Sequence, residues 1–173
     1  MINRILNGMY TYFIGVHSTT ENRIKLLPKT EQWLLDIAPR HFASENSPTS
    51  YEAVQKQASL YGIFHVFNGG STDTIFSSRA VQYAYRAWHD SLHLMKQWDF
   101  SHASELKVAI LQEAVAISWG IDERDAKMLR LDLEAHIEYV YAKGEHPVNQ
   151  IELIKDCLQN GVQATVNSEK LYH

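Results

Sequence analysis

Residues 79–105, RAVQYAYRAWHDSLHLMKQWDFSHASE, combine a helical pattern with a dense group of imidazoles and carboxylates. Apolar residues recur in the first part of this stretch at steps of three and four, the spacing of an amphipathic helix. These residues are Val81, Tyr85, Trp88, Leu92 and Met95. Ser77 or Ser78, just before the stripe, is a suitable N-cap, so the sequence predicts a helix over 79–97.

Three further helices are predicted after this one. They run from Ser101 or His102 to Ile117, from Asp122 to Gly144, and from Pro147 to Leu158. Gly120 ends the first of them, and Asp122 caps the second with Asp125 as its capping partner. The pair at 160–161, Asn-Gly, closes the third, and we expect the polar tail beyond it to be mobile.

The chain before residue 79 is less regular. Helices are predicted from Pro28, capped by Thr30, to just before Pro39, and from Tyr51, capped by Thr49 or Ser50. Residues 43–50 are predicted to form a polar loop. Segments of β-like composition are Tyr10–Val16, Thr74–Phe76 and Ile63–Phe67, the last of which also fits a final helical turn.

Successive helices with short connections favour antiparallel neighbours in a bundle. We therefore predict a mainly α, single-domain helical bundle over residues 1–173. Within it, residues 51–160 form a helical metal-binding core, and residues 1–50 form an N-terminal cap segment of mixed or β structure.

Composition limits the classes of function. The 173 residues are 45% apolar, which is too high for a disordered chain, and the net charge of −4 without a basic block does not favour a nucleic-acid surface. The single cysteine, Cys157, excludes an internal disulfide and is expected in the core. Residues 1–8 do not resemble a signal peptide, and no apolar stretch is long enough to span a bilayer, so a cytoplasmic protein is expected.

Ionisable side chains lie at one-face spacing on three of the predicted helices. The pairs are His89 with His93, Glu105 with Glu113, and Asp132 with His136. Burying several unpaired charges would cost several kcal/mol each, and a divalent cation among them removes that cost. Imidazole and carboxylate ligands suit zinc, iron or manganese, with magnesium as a further candidate. Structural hydrogen-bonded pairs are the alternative interpretation.

The doublet His89-Asp90 and the residues that follow it resemble the HD phosphohydrolase superfamily. The sequence has His89-Asp90-Ser91-Leu92-His93 followed by Phe100-Ser101-His102-Ala103-Ser104-Glu105, which is similar to the deoxynucleoside triphosphate triphosphohydrolase branch. Leu92 stands where that pattern has glycine. The stretch is also similar to small uncharacterised phage-encoded proteins.

The resemblance implies a role for each matching residue. The ion would be held by His89, Asp90, Asp132 and, by position, His65. The one-face spacing adds Glu113 and His136 as candidate ligands. A bound ion activates water for attack on phosphorus. The candidates for proton transfer and phosphate contact are His93, His102 and Glu105. Arg79 and Arg86 would neutralise phosphate charge.

The sequence predicts a metal-dependent phosphohydrolase acting on a nucleotide or a related small phosphate ester, and two other functions stay open. One is a carboxylate/histidine di-metal oxidoreductase, although that architecture uses Glu-x-x-His, and Glu134 and His136 are only two apart. The other is a non-enzymatic interaction protein, such as a phage factor with structural histidines. A homo-oligomer fits any of the three.

Overall fold

The computed structural model describes residues 24–71 and 73–173, which fold into helices and one small parallel sheet. The elements are α1 (Pro28–Ile37), β1 (His41–Ser44), α2 (Tyr51–Tyr61), β2 (Phe64–Phe67), α3 (Arg79–Lys96), α4 (His102–Ser118), α5 (Glu123–Lys143), α6 (Gln150–Asn160) and α7 (Val162–Val166). The predicted mainly α class with a small strand segment is confirmed. The strand expected at Tyr10–Val16 lies outside the described residues.

Helix α3 is the element against which most of the N-terminal half packs. The Ser78 hydroxyl accepts a hydrogen bond from the Val81 amide at 3.3 Å, which is the N-cap that the sequence predicts. The apolar stripe faces the core as far as Leu92, whereas Met95 is exposed. Helix α1 lies against the stripe through an edge-to-face contact of Trp33 with Trp88, with ring centroids 5.1 Å apart.

Helices α4 and α5 pack along each other, and α4 also contacts α3. The start of α5 is as the sequence predicts. The Asp122 carboxylate accepts a hydrogen bond from the Arg124 amide at 3.1 Å and caps this helix. Val108 on α4 and Leu129 on α5 are fully buried in the shared apolar cluster. Helix α4 therefore lies between α3 and α5, which become the two walls of a cleft.

The buried Asp125 does not complete a capping box, and this part of the prediction is wrong. Its carboxylate instead accepts hydrogen bonds from the Leu27 amide at 2.8 Å, from the Thr30 hydroxyl at 2.6 Å and from Arg124 at 2.7 Å. Thr30 is consequently not the cap of α1, which begins at Pro28 after an uncapped Leu27. Asp125 ties the start of α1 to the first turn of α5.

The sheet pairs β1 with β2 in parallel, with His41 opposite Phe64 and Ser44 opposite Phe67. Helix α2, capped by Ser50 as predicted, makes the crossover between the strands. Residues 43 and 44, which were predicted to be loop, thus belong to strand β1. The local sequence does not show this, because the strand with which they pair is distant in sequence. Residues 74–76 form no strand; Ile75 and Phe76 instead bury their side chains in the core.

The C-terminal segment is packed on α5, and the prediction of a mobile tail is wrong. Tyr172 is buried, lies edge-on to Tyr139 with centroids 5.6 Å apart, and donates its hydroxyl hydrogen to Asp156 at 2.6 Å. Helix α6 starts at Gln150 under an Asn149 cap, three residues after the Pro147 that the sequence favours. Cys157 on this helix is buried, as predicted.

Within the described ranges, no helix has both the length and the apolar content that crossing a bilayer requires. The cytoplasmic location expected from the sequence stays a prediction.

We expect Asp125→Ala to lower the free energy of unfolding by about 3 kcal/mol, because it removes the buried acceptor of three donors, among them the buried Thr30 hydroxyl. Asp122→Ala is the matched control, since it removes a single exposed cap and should cost about 1 kcal/mol. Urea unfolding followed by circular dichroism measures both. Equal losses in the two variants would contradict the role given to Asp125.

Candidate functional site

His89, His93 and Glu105 bring three potential metal ligands to one point. The two histidines lie one turn apart on α3, and Glu105 lies in the first turn of α4. Glu105 Oε2 is 3.2 Å from His89 Nε2 and 3.4 Å from His93 Nε2, and all three ligand atoms lie within 4.8 Å of one another. In the ranges that the structure describes, no other group of three or more such residues converges in this way.

The separations fit the spacing of two ligands around one cation. Two ligand atoms that bind a tetrahedral ion at about 2.1 Å are roughly 3.4 Å apart. Hydrogen bonds from an imidazolium to a carboxylate are shorter, at about 2.7–2.9 Å.

The orientation of the His93 ring is fixed by the backbone. His93 is fully buried, and its Nδ1 lies 3.1 Å from the carbonyl oxygen of Trp98. A carbonyl oxygen only accepts, so Nδ1 carries a hydrogen. In the neutral ring the lone pair of Nε2 then points at Glu105, and both atoms are acceptors. Neither His93 Nε2 nor Glu105 Oε2 has a hydrogen-bond partner in the described part of the chain.

A second proton on the imidazoles or a bound cation would satisfy these acceptors. Burial lowers the pKa of His89, but Glu105 raises it more strongly, so the net pKa of His89 lies above its usual value. Burial raises the pKa of Glu105, yet His89 and His93 outweigh it and hold that pKa well below its usual range. Glu105 is therefore an anion at neutral pH, as a metal ligand must be.

The turn between α3 and α4 makes this convergence possible. Gln97 adopts a left-handed conformation with φ of 55°, which ends α3 and lets the Trp98 amide donate to the carbonyl of His93 at 3.0 Å. Asp99 then accepts from the Ser101 amide at 3.2 Å and from the Ser104 hydroxyl at 2.7 Å, so it starts α4 one turn before Glu105.

Two clefts lead to the site. The main cleft, of about 480 Å³, lies between α3 and α5, and the side cleft, of about 490 Å³, opens toward β2. Both are lined by Phe67, Arg86, His89 and His146. The His89 side chain is 14% exposed whereas that of His93 is fully buried, so the clefts reach the site from the His89 side.

Asp132 and His136, two of the predicted ligands, line the main cleft from α5 and lie outside the three-residue group. Asp132 Oδ1 accepts from Gln150 Nε2 at 2.9 Å, and burial raises the pKa of Asp132 to about 7. His136 Nε2 lies 3.0 Å from His146 Nδ1. Burial, together with His146, lowers the pKa of His136 to about 4.

Asp90, Glu113 and His65 also lie outside the group. Asp90 follows His89 and lines the side cleft, and burial raises its pKa to about 6. Glu113 accepts from Arg130 at 3.0 Å on another surface. His65 on β2 lines the side cleft.

His102 and Arg79, two further predicted site residues, lie outside the three-residue group. His102 Nε2 lies 3.3 Å from a Glu138 oxygen, and its ring stacks on Tyr141 with centroids 4.3 Å apart. Arg79 donates to the carbonyl oxygens of Ser71 and Gly70 at 3.1 and 3.3 Å.

Arg86 is anchored without a carboxylate. It donates to the carbonyl oxygens of Phe67 and Gly69, the latter at 3.0 Å. Burial, more than the nearby Arg79, lowers the pKa of Arg86, and no carboxylate in the described ranges forms a salt bridge with it. A partly buried cation therefore lines both clefts beside His89.

Sequence reasoning missed Gln150, His146 and the Trp98 carbonyl. Gln150 is the first residue of α6, where no periodicity marks an inward side chain. His146 lies in a loop, and a backbone carbonyl leaves no trace in a sequence. The positive φ at Gln97 is likewise invisible, because glycine is the residue that usually signals it.

Comparison with known proteins identifies no relative. The chain matches none of the protein-family models, curated protein sequences or solved structures against which it was compared. The resemblance to the HD superfamily rests on residues 89–105 and stays a prediction.

We predict that the protein binds one Zn²⁺ or Co²⁺ per chain and that Glu105→Gln weakens binding by more than about 100-fold. Loss of an outer hydrogen-bond partner alone typically costs about 10–100-fold, and Glu105 supplies the only carboxylate of the group. Isothermal titration calorimetry measures the affinity. Glu138→Gln, at the neighbouring histidine–glutamate pair, is the matched control and should bind like the wild type. Equal affinity of Glu105→Gln and wild type would exclude the site.

We also predict that Asp132→Asn changes the pH dependence of stability. The folded-state pKa of about 7 exceeds the unfolded value of about 4, so the native state loses stability as pH rises between them. In the presence of a chelator, the variant should match the wild type near pH 4 and exceed it by about 4 kcal/mol at pH 8, since one pKa unit corresponds to about 1.4 kcal/mol. Urea unfolding measures this, with the exposed Asp36→Asn as a control that should follow the wild-type curve. A curve for Asp132→Asn parallel to the wild type would contradict the prediction.

Proposed function

We propose that the chain is a metal-dependent phosphohydrolase whose ion is held by His89, His93 and Glu105. The observation that carries the proposal is the position of Glu105 Oε2, at cation-ligand spacing from two imidazole nitrogens. One of these nitrogens, His93 Nε2, is buried and has no hydrogen-bond partner among the residues that the structure describes. Two nitrogens and one oxygen suit zinc, iron or manganese and leave coordination positions free for water and substrate.

This assignment differs from the roles that the HD resemblance implies. His93 and Glu105 become ligands rather than proton-transfer groups, because their atoms converge with His89 Nε2. Asp132 lines the main cleft instead, with one oxygen bound to Gln150. The Trp98 carbonyl supports His93 as a ligand, since it holds the proton on the far ring nitrogen.

A bound ion in this position would lower the pKa of a water molecule and polarise a phosphate oxygen. The chain's own residues determine where that chemistry happens. His93 is sealed behind Phe100, with ring centroids 4.8 Å apart, so substrate would reach the site only past His89. The attacking water and the phosphate then share the junction of the two clefts.

Arg86 favours an anionic substrate. Its guanidinium lies at the junction beside His89, is held by backbone carbonyls, and has no salt-bridged carboxylate in the described ranges. Asp132 and Asp90 act on Arg86 through their charges without pairing directly with it, and a phosphate group would supply a direct ionic partner. Arg86 would therefore bind the phosphate while the ion activates water.

An interaction protein is the second candidate function, and the outer face of α4 favours it. Ile110, Ile117 and, just after the helix, Trp119 are between 44% and 66% exposed. Exposed apolar residues that lie close together are typical of interaction surfaces. The di-metal oxidoreductase receives less support, because the described residues offer one group of three ligands.

Phosphate release from a panel of phosphate esters tests the proposal. With Mn²⁺ or Co²⁺ we expect turnover that a chelator abolishes, and His89→Ala and Glu105→Gln should lose bound metal and turnover together. Glu138→Gln should keep both. Turnover that survives chelation, or a Glu105→Gln variant that keeps its metal, would contradict the proposal.

A further inference from the structure

The main cleft places a carboxyl group across from the candidate metal ligands. His89, Arg86 and Tyr85 line the α3 wall, and Asp132 and His136 line the α5 wall. The two walls meet where the Tyr85 hydroxyl donates to the carbonyl oxygen of Leu129 on α5 at 3.0 Å. Arg86 and Asp132 are close enough for their charges to interact. A phosphate ester whose phosphate lies beside His89 and Arg86 would therefore present its ester oxygen, the atom bonded to phosphorus, toward Asp132.

The carboxyl group of Asp132 is held in place through one of its two oxygens. It is 3% exposed, and Gln150 Nε2 donates to its Oδ1 at 2.9 Å. Its Oδ2 makes no hydrogen bond within the described part of the chain. Gln150 is itself buried at the start of α6, so it holds the carboxyl group in one orientation.

Building on the proposed phosphohydrolase function, we propose that Asp132 is the proton donor to the leaving group of an aryl phosphate ester whose ring occupies the main cleft. Five side chains give that cleft apolar walls: Phe67, Phe76, Tyr85, Leu133 and Pro147. Its volume of about 480 Å³ is in the range of small-molecule sites, and aromatic walls favour a flat apolar ring.

The titratable groups around Asp132 decide whether it carries a proton. Burial favours the neutral acid, whereas the charge of Arg86 and the hydrogen bond from Gln150 favour the anion, which leaves the pKa of Asp132 at about 7. Of the other groups facing the cleft, His136 has a pKa of about 4, so it is neutral at pH 7. Tyr85 is neutral as well, since burial and Asp132 raise its pKa. Asp132 is thus protonated in a large fraction of molecules near neutral pH.

The step is balanced without a further reactant. The oxygen of the attacking water forms a bond to phosphorus as the bond from phosphorus to the aryl oxygen breaks. The Asp132 proton moves to that aryl oxygen, and the phenol leaves. A proton from the attacking water then returns to the Asp132 carboxylate through solvent, so the net reaction consumes one water and yields the phenol and phosphate.

Leaving-group dependence tests Asp132 directly. Phenyl phosphate needs a proton on its leaving oxygen, whereas 2,4-dinitrophenyl phosphate releases a stable anion. In the metal-loaded protein, Asp132→Asn should lower kcat for phenyl phosphate about 10²- to 10⁴-fold, the usual contribution of a general acid. For the dinitrophenyl ester the loss should stay within about tenfold. The wild-type rate with phenyl phosphate should fall as pH rises through 7, and the variant should lack that decline.

Other outcomes overturn the proposal in distinguishable ways. Equal losses on the two esters, or no loss, would remove Asp132 as the donor and leave the phosphohydrolase proposal standing. Weaker Co²⁺ binding by Asp132→Asn, measured by calorimetry, would make Asp132 a ligand instead. Hydrolysis of alkyl but not aryl phosphates would overturn the aryl class. A wild-type protein that hydrolyses no phosphate ester with any metal would overturn the proposed function together with this inference.

Discussion

The contact of one carboxylate oxygen with two imidazole nitrogens is the constraint on which the site depends. Glu105 Oε2 faces His89 and His93 in an interior where water reaches little of any of them. An unpaired acceptor in such a place costs roughly 1–3 kcal/mol, and more when it is charged. The arrangement is stable only if something positive lies among the three groups, either protons or an ion. The spacing of the ligand atoms fits the ion, and the His93 Nδ1 hydrogen on the Trp98 carbonyl oxygen is compatible with it.

The surrounding structure keeps that contact in place. The left-handed Gln97 and the hydrogen bonds of Asp99 to Ser101 and Ser104 shape the turn from α3 to α4, so they influence the distance between histidine and glutamate. Asp125 on α5 accepts a hydrogen bond from the Leu27 amide at the start of α1. Trp33 on α1 packs against Trp88, which is one residue before His89. Two elements distant in sequence therefore hold α3 at the position that the site requires.

The charges of the main cleft complement each other. Arg86 is a cation that forms no salt bridge with a carboxylate of residues 24–71 and 73–173, His136 is held neutral, and Asp132 is close to half protonated at neutral pH. Each departs from its behaviour in water mainly because it is buried. Such a cleft favours a ligand with one strongly anionic end and an uncharged remainder.

The sequence predicted the helices well, because their apolar stripes and caps are local signals. The bounds of α3 and the caps Ser78 and Asp122 follow from residues within a few positions of each other. The sequence did not reveal strand β1, because its partner strand lies beyond α2. It did not reveal the burial of Tyr172 either, because the residues that Tyr172 contacts are on α5 and α6.

For the site, the sequence included His89, His93 and Glu105 among eleven candidate residues, with His89 as a metal ligand and His93 and Glu105 as proton-transfer groups. It gave no way to choose between them and Asp132, Glu113 or His136, whose spacing along a helix is equally regular. Spacing shows which side chains share a face, but not which two faces meet. That depends on the turn at Gln97 and on the packing of α4 against α3.

Anomalous scattering from zinc-loaded crystals tests the central claim most directly. We predict a single strong peak about 2.0–2.2 Å from His89 Nε2, His93 Nε2 and Glu105 Oε2. A map without density among these three atoms, or with its peak beside Asp132 or between His136 and His146, would contradict the claim that Glu105 gathers a cation with the two histidines.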